Sequence, residues 1–430
     1  MKNGHARSRR AYIAEALLEY LVSLLVTGTF LSALLKQIGV SDALTGIISS
    51  FISLACCVQL FSGLIVCPGR SVRRTMLLFG VLNEFLFASL YLIPFVPVPQ
   101  SVKTAVFVVM ILAAYLLLNL STPVKFKWMN DFVDPSRRGV FTARKEMISL
   151  AGGMLFSLLM GRLVDHYREL GQEQTGSVLC CVTLFAVALL HAVTLLCVED
   201  ETIDEPQQRL SARLRDMASF LTGDRALRRL IGLDVLWKAA VYIATPFYGT
   251  YLIGELGFSL TEVSLIAMAG SITRVLISPL TGRLADRRGW SRLLTGCILV
   301  AAVGFLCNVF TAPSSRYFYV VQQVCYAIAM AGVNSGMSNI TYDYIPAERF
   351  SLALGTRNAV SGVIGFLATL LGSTVVTTVQ GRGDLLLGRT VYAQQVLSLC
   401  AGVLMLLAVL YLKKVIGRMP KRTRETVGKV

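Results

Sequence analysis

Charged residues are scarce in this chain, because Asp, Glu, Lys and Arg together make up only 15% of its 430 residues. Soluble domains carry about 25%. Hydrophobic residues make up 55%, and the mean hydropathy is +0.65. Runs of roughly 20 apolar residues recur along the whole length, which is the pattern of membrane-spanning helices. The composition therefore excludes a soluble protein and predicts an all-α polytopic membrane protein.

Motifs for catalysis, metal binding and nucleotide binding are also missing. The three histidines, His5, His166 and His191, are scattered, and the sequence has no HExxH, no CxxC and no nucleophile elbow. It has no GxxxxGK[ST] phosphate loop. Most of the ten cysteines lie in apolar runs, where they serve as small packing residues. We expect no enzyme activity, no metal, no cofactor and no nucleotide-driven pump.

The apolar runs define twelve candidate spans. They cover residues 12–38, 44–67, 75–97, 102–130, 144–165, 175–198, 230–254, 260–281, 292–312, 315–340, 353–379 and 390–416. A polar stretch, 199–229, separates the sixth from the seventh. The sequence thus predicts an N-terminal six-helix bundle (1–198), a cytoplasmic linker (199–229) and a C-terminal six-helix bundle (230–430).

Basic residues set the orientation. Of the 41 Lys and Arg residues, 30 fall on the side of the predicted spans that carries both termini and the linker. Cytoplasmic loops carry an excess of Lys and Arg, so we expect a multi-pass protein of the cytoplasmic (inner) membrane with both termini in the cytoplasm. The net charge of +16 then reflects topology and anionic lipid, with no need for nucleic acid. The basic N-terminus leads into an apolar run too long for a signal peptide, which predicts a retained first span.

The linker changes from acidic to basic along its length. Leu210, Leu214, Met217 and Leu221 follow helical spacing. This spacing predicts a short amphipathic helix on the inner membrane face.

The two halves of the chain resemble each other weakly. Loop 4–5, DFVDPSRRGVFTARKEM, matches loop 10–11, DYIPAERFSLALGTRNA, so that Asp131 pairs with Asp343 and Arg144 with Arg357. Gly63 of loop 2–3 pairs with Gly282 of loop 8–9. Internal repeats of six spans, with a site between them, are a common plan of transporters.

Loop 8–9 reads GRLADRRG, which resembles the loop 8–9 signature of the major facilitator superfamily (MFS). WMNDFVDPSRRGVFTAR resembles the end of span 4 and loop 4–5 in many bacterial members. The first-half counterpart of GRLADRRG keeps only the first glycine and basic residues. The resemblance implies twelve transmembrane helices in two six-helix bundles related by pseudo-twofold symmetry. It also implies a central cavity lined by spans 1, 4, 7 and 10.

A cytoplasmic gate is expected at these loops. Gly282 allows close helix approach, Gly289 permits a tight reversal, and Asp286 can accept hydrogen bonds at a helix N-terminus. The family is thought to use this loop as a latch between bundles, and the resemblance carries that role to Asp286 and Arg287. The alternative is that the loop is basic only because it faces the cytoplasm and has no role as a latch. In loop 4–5, the residues Asp131, Arg138 and Arg144 form either a structural salt-bridge cluster or part of the gate.

Ionisable residues inside spans are candidates for function because burial of charge is costly. Glu19, Lys125 and Lys238 fall at similar depth on spans 1, 4 and 7. Asp234 precedes Lys238 by four residues and can pair with it on one helix. We expect Glu19, Lys125, Asp234 and Lys238 to form a charge cluster that binds an anionic or zwitterionic substrate, couples protons, or both. The alternative is that these long side chains extend to the membrane interface and that the oppositely charged residues form a purely structural ion pair.

Three further polar residues are candidates in the spans. Glu84 is either a second proton site or a buried structural carboxyl, whereas Glu15 is expected at the membrane interface. Asn334 and Asn339 of GVNSGMSN offer hydrogen bonds in span 10, although Gly332 and Gly336 also indicate close helix packing.

The sequence favours a monomeric secondary active transporter that moves a small molecule by alternating access, with coupling to protons or another ion. A multidrug–proton antiporter is an alternative, weakened because span 5 lacks the Gly-Pro of that branch. A membrane-embedded enzyme or a non-transporting scaffold is the alternative from another class. The enzyme would need a catalytic constellation, which is missing from the sequence, and the scaffold usually brings a further soluble domain.

Overall fold

The computed structural model describes residues 5–64, 71–133, 138–200, 210–346, 349–386 and 389–420. The first half contains eight helices in these ranges: α1 (Ala6–Leu25), α2 (Gly28–Ile38), α3 (Asp42–Ser49), α4 (Phe51–Ala55), α5 (Val72–Ser89), α6 (Gln100–Phe132), α7 (Arg138–Glu169) and α8 (Glu173–Leu196). Short 3-10 segments extend two of them, Cys56–Leu64 after α4 and Leu90–Phe95 after α5.

The second half begins with a helix in the predicted linker. Its described helices are α9 (Leu210–Gly223), α10 (Arg225–Tyr242), α11 (Tyr248–Gly254), α12 (Leu260–Arg288), α13 (Trp290–Asn308), α14 (Tyr317–Tyr342), α15 (Phe350–Gly381) and α16 (Ala393–Tyr411). A 3-10 turn, Thr245–Phe247, joins α10 to α11, and a π turn, Leu412–Ile416, ends α16. A small antiparallel pair of strands, β1 (Leu385–Leu386) and β2 (Arg389–Thr390), lies between α15 and α16.

Ten helical segments of the described chain are long and apolar enough to cross a membrane, or eleven if the bent pair α1–α2 is one span. This confirms an all-helical polytopic architecture. The expected number of twelve is not confirmed, because α14 does not meet the same test. Its 26 residues span about 39 Å at 1.5 Å per residue, which is longer than a bilayer core.

Two spans break at equivalent places in the two halves. The axis bends by 42° between α1 and α2, and the α10–α11 helix breaks at the turn that holds Pro246. The segments after the breaks pack together, because a Cβ atom on Gly249 would lie 2.9 Å from the Gly28 carbonyl oxygen. Only a residue without a side chain allows this approach. The expectation of a hinge at Pro246 and Gly249 therefore coincides with an observed break.

Each half packs around its own apolar core. The core of the first half centres on residues such as Leu31, Phe107 and Leu184, all fully buried, and that of the second on residues such as Phe247 and Phe305. Many leucines and valines on the outer faces of the helices are exposed, for example Leu276 at 68%. An apolar exterior around apolar cores fits a protein surrounded by lipid.

The two ends of the helix bundle differ in how the halves meet. We call the end where α1 begins and α16 ends the terminal end, and the other the opposite end. Near the middle, Ser53 donates a hydrogen bond to the Gly362 carbonyl at 3.0 Å. At the opposite end, the Gln380 side chain donates to Asp42 at 2.7 Å. These contacts join α3, α4 and α15 across the two halves and close the opposite end.

A second closure at the opposite end involves Asp165, near the end of α7. Its carboxylate accepts hydrogen bonds from the backbone N–H groups of Leu260, at 3.1 Å, and Thr261, at 2.7 Å. These are the first two N–H groups of α12, which the helix itself cannot satisfy. Ser259 and Glu262 form a capping box at the same helix start. A carboxylate of the first half thus caps a helix of the second half, where the helix dipole favours negative charge.

Replacing Asp165 tests this closure. Asp165→Ala is expected to lower the free energy of unfolding by about 1 kcal/mol, the typical value for loss of a helix cap, because two N–H groups of α12 lose their acceptor. The measurement is thermal unfolding of the purified protein in detergent. Glu169→Ala, an exposed acid at the end of the same helix, is the control. Equal stability of the two variants would contradict a stabilising role of the cap.

Candidate functional site

A cavity of about 720 Å³ lies where the two halves meet, and we call it the first chamber. Helices α10, α14 and α15 of the second half form most of its wall. The first half contributes the α1–α2 break at Thr27 and Gly28, together with Ser49 and Ile52 of α3 and α4. A cavity of this volume accommodates a small metabolite.

A second cavity of about 310 Å³ adjoins the first, and we call it the second chamber. Thr27, Gly28, Thr245 and Tyr326 line both chambers, so the two share part of their walls. Most of the second chamber's own wall is aromatic or apolar, and the Ser157–Ser264 hydrogen bond between α7 and α12 lies in that wall.

Asp234 and Arg357 form a bidentate ion pair in the wall of the first chamber. The distances are 2.6 Å from Arg357 Nε to Asp234 Oδ2 and 2.7 Å from Nη2 to Oδ1. The third guanidinium nitrogen donates to the Thr341 hydroxyl. Arg357 is 1% exposed, so the pair satisfies a charge that would otherwise be buried alone. The expected pairing of Asp234 with Lys238 along one helix is therefore wrong, because the planar guanidinium offers the carboxylate two hydrogen bonds.

Sequence reasoning missed Arg357 because it was counted with the loop 10–11 repeat, although the predicted span 353–379 contains it. The structure places it inside α15, which begins at Phe350. The signal was available, since Arg357 interrupts an otherwise apolar run, and a charge in such a run needs a partner.

Lys238 also lines the first chamber but has no carboxylate partner in the part of the chain that the structure describes. Its nearest recorded contact is the Tyr242 ring, with Nζ 5.2 Å from the ring centroid. Cation–π contact stabilises an ammonium group only weakly compared with an ion pair. Lys238 is thus a half-buried cation that faces the chamber and is available to a ligand.

Glu19 and Lys125 meet in the first half, as expected, but they lie away from the first chamber. Lys125 of α6 bridges Glu19 and Glu15, which are one turn apart on α1. Glu15 is 1% exposed, so it is buried among the helices. The single cluster expected from Glu19, Lys125, Asp234 and Lys238 is divided into two, one in each half.

His191 of α8 completes the network of the first half. Its Nδ1 lies 2.8 Å from Glu84 Oε1, and its Nε2 lies 3.3 Å from Glu15 Oε1. His191 and Glu84 are 2% and 1% exposed. We did not predict a role for His191, because it is the only histidine of its apolar run and no motif surrounds it. The sequence feature that could have identified it is an ionisable side chain inside a span, where burial of charge costs free energy.

The geometry of this network requires a bound proton. A neutral imidazole has one N–H donor and one acceptor, whereas an ionised carboxylate only accepts. Both ring nitrogens of His191 face a carboxylate oxygen, so either the imidazole or one of the two carboxyl groups is protonated. The other carboxyl oxygens, Glu15 Oε2 and Glu84 Oε2, are buried without a hydrogen-bond partner among the described residues.

The predicted gate residues lie at the terminal end. The side chains of Asp131 and Arg138 are outside what the structure describes, and Arg144 is exposed. Asp286 and Arg287 are exposed and form no ion pair with a described residue of the first half. Among the described residues, the expected latch contacts of Asp286 and Arg287 are thus absent while the opposite end is closed.

The two glycines of the gate loop behave differently. Gly289 has a φ of 81° and joins α12 to α13, as a tight reversal requires. Nothing lies within 4 Å of a Cβ atom built on Gly282. The expected close approach of another helix at Gly282 is therefore not present in this state.

The polar residues of α14 separate onto two faces. Asn334 lines the first chamber, whereas Asn339 is half-buried and does not. Gly332 and Gly336 face α13, where added Cβ atoms would approach Cys297 Sγ to 2.5 Å and Leu294 Cδ2 to 2.8 Å. Close helix packing and a polar chamber wall thus coexist on this helix.

Comparisons with known proteins agree with this architecture. The family model described as "Major Facilitator Superfamily" matches residues 235–429. The Alpha-ketoglutarate permease of Escherichia coli (strain K12) is 24% identical over 245 residues, and the match covers 55% of this chain and 55% of that protein. The chain thus matches about half the length of this curated relative.

Solved structures of transporters share the fold along almost the whole chain. A D-xylose-proton symporter superposes with a TM-score of 0.72 at 14% identity, covering 94% of this chain and 96% of that one. The nucleoside transporter NupG gives 0.69 at 14% identity, covering 94% and 98%. The human organic anion transporter MFSD10 (TETRAN) gives 0.61 at 15% identity, covering 96% and 100%.

The Asp234–Arg357 pair can be tested by stability. Asp234→Ala is expected to cost about 3–5 kcal/mol, because it leaves the Arg357 charge buried without a counter-ion. The double variant Asp234→Ala, Arg357→Met is expected to be more stable than Asp234→Ala alone. Chemical unfolding of the two single variants and the double variant gives the coupling energy. Additive effects of the two substitutions would show that the pair contributes nothing.

Proposed function

We propose that the chain is a member of the major facilitator superfamily and a secondary active transporter that moves a small anionic molecule by alternating access, coupled to protons. Such a role makes the chain a carrier and not an enzyme. We also propose that the terminal end faces the cytoplasm, that residues 1–198 and 230–430 act as two six-helix bundles, and that the protein works as a monomer in the inner membrane.

The observation that carries the proposal is the unpaired charge of Lys238 in the first chamber. The other two charges in the wall, on Asp234 and Arg357, neutralise each other through their ion pair. The chamber therefore has a net positive charge, which an anionic group of a substrate can balance. Two of the similar proteins are named for anions, as an Alpha-ketoglutarate permease and an organic anion transporter, which supports the same class of substrate.

Alternating access requires contacts that exchange between two states. The hydrogen bonds of Asp42 and Asp165 close the opposite end, whereas Asp286 and Arg287 are exposed at the terminal end, in the last turn of α12. In our proposal, closing of the terminal end brings this helix end against the first half and releases the Asp165 cap. The breaks at α1–α2 and α10–α11 supply the hinges beside the chamber.

Proton coupling is assigned to the network of the first half. Glu15, Glu84 and His191 share a proton by their geometry, and Lys125 links Glu15 to the less buried Glu19. Loss of the proton leaves two carboxylates beside one neutral imidazole, an arrangement whose repulsion favours rearrangement of α1 against α8. Because α1 continues through the bend into the chamber wall at Thr27, the protonation state and the chamber are mechanically connected.

Lys238→Met tests the anionic substrate. A thermal-shift screen of the purified protein against a metabolite library should yield anions as stabilising ligands, since stabilisation follows affinity and ligand concentration. The best of these ligands is expected to bind Lys238→Met at least tenfold more weakly, because its counter-charge is missing. Lys414→Met, at an exposed lysine, should leave binding unchanged. Cationic hits, or equal binding by both variants, would overturn the assignment.

Glu15→Gln and His191→Gln test proton coupling. In proteoliposomes with an imposed pH gradient, both variants are expected to lose gradient-driven uptake of the ligand found in that screen. Exchange of labelled for unlabelled ligand without a gradient should persist, because neither residue lines the chambers. His166→Gln serves as the control. Gradient-driven uptake at the wild-type level in both variants would show that the proton binds elsewhere.

A further inference from the structure

The second chamber contains a buried polar group that no described residue satisfies. Gln322 of α14 is 1% exposed, and its side-chain carbonyl oxygen has no hydrogen-bond partner among the residues that the structure describes. An unpaired buried amide oxygen loses the hydrogen bonds it had in water. Such a group, placed in the wall of a cavity, is suited to a donor on a ligand.

Two tyrosine hydroxyls of this chamber have partners within the protein. The Tyr248 hydroxyl bonds to Ser398 and Asn308, and the Tyr319 hydroxyl accepts from Gln323. The chamber is therefore aromatic in character, with Gln322 as its buried acceptor.

The two chambers together recognise two ends of one molecule. Tyr326 lines both, and Gln322 lies one helical turn before it on α14. Thr245 also lines both, and Lys238 lies seven residues before it on α10. At a rise of 1.5 Å per residue these offsets are about 6 Å and about 10 Å along the two helices. The Tyr326 ring also stacks on Trp237, the chain neighbour of Lys238, with ring centroids 6.4 Å apart. An elongated ligand that lies along Tyr326 can therefore reach toward Lys238 at one end and Gln322 at the other.

We propose that the substrate is a small aromatic carboxylate with a hydroxyl group at its far end. Lys238 binds the carboxylate in the first chamber, the ring lies among the tyrosines, and the hydroxyl donates a hydrogen bond to Gln322 in the second chamber. This inference rests on the proposed function, which it extends by naming a substrate class and a second recognition residue.

A pair of probes separates the hydroxyl from the rest of the molecule. 3-(4-Hydroxyphenyl)propanoate and 3-phenylpropanoate differ only in that group. The wild-type protein is expected to bind the hydroxylated probe about tenfold more tightly, because the unsubstituted probe leaves the Gln322 oxygen unpaired. Titration calorimetry with the full-length protein in detergent gives both dissociation constants.

Gln322→Met is the deciding variant, since methionine keeps the length of the side chain and removes the amide. The ratio of the two dissociation constants is expected to fall from about ten to about one. Gln394→Met is the matched control, because Gln394 is also buried, with an amide nitrogen lacking a partner among the described residues, but lines neither chamber. It should keep the wild-type ratio.

The outcomes separate this inference from the proposed function. A wild-type ratio near one, a ratio that Gln322→Met leaves unchanged, or failure of both probes to bind would overturn the role of Gln322 and the substrate class. Lys238→Met is expected to weaken both probes alike and leave their ratio intact. Binding of both probes that does not depend on Lys238 would instead overturn the anion site of the proposed function, whatever the ratio shows about Gln322.

Discussion

A charge inside an apolar helix bundle must be balanced, and this requirement organises the polar interior of the protein. Transfer of an ionised side chain from water into a protein interior costs several kcal/mol unless a partner of opposite charge and hydrogen bonds accompany it. In the second half, the bidentate ion pair of Asp234 and Arg357 meets this condition. In the first half, three carboxylates surround one lysine and one histidine, and the balance requires a proton as well.

The charged networks of the two halves differ, and in the proposed mechanism they have different roles. The network of the second half lies in the chamber wall and leaves one cation, Lys238, unpaired, so that the chamber favours an anion. The network of the first half is closed off from the chambers and holds a proton. In the proposed mechanism the substrate site and the proton site are thus separate, and the helix that continues through the α1–α2 bend connects them.

The opposite end of the bundle is closed by contacts that individually are small. Asp165 satisfies two backbone N–H groups of α12, and Gly249 permits a backbone approach that any side chain would prevent. Such contacts suit a gate, because each contributes about as much as one hydrogen bond or helix cap and can be exchanged for contacts at the other end. In the proposed mechanism, the exposed end of α12 with Asp286 and Arg287 supplies partners for that exchange.

Much of the architecture followed from the sequence, because apolar runs and the positions of basic residues depend on local composition alone. The helical, membrane-spanning character, the break at Pro246 and the ionisable residues within spans could all be read in this way. The number of spans was less certain, since α14 is rich in small and polar residues that lower its hydropathy.

The partners of the charged residues could not be read from the sequence. Lys238 lies one turn from Asp234, yet Arg357, more than a hundred residues away, takes the carboxylate because its guanidinium forms two hydrogen bonds at once. His191 and Glu15 meet only because α8 packs against α1.

The sequence by itself determined which residues are buried in helices, because burial follows the apolar pattern of each segment. The tertiary structure alone decided which of their charges are paired and which remain free, because pairing depends on helices distant in the chain.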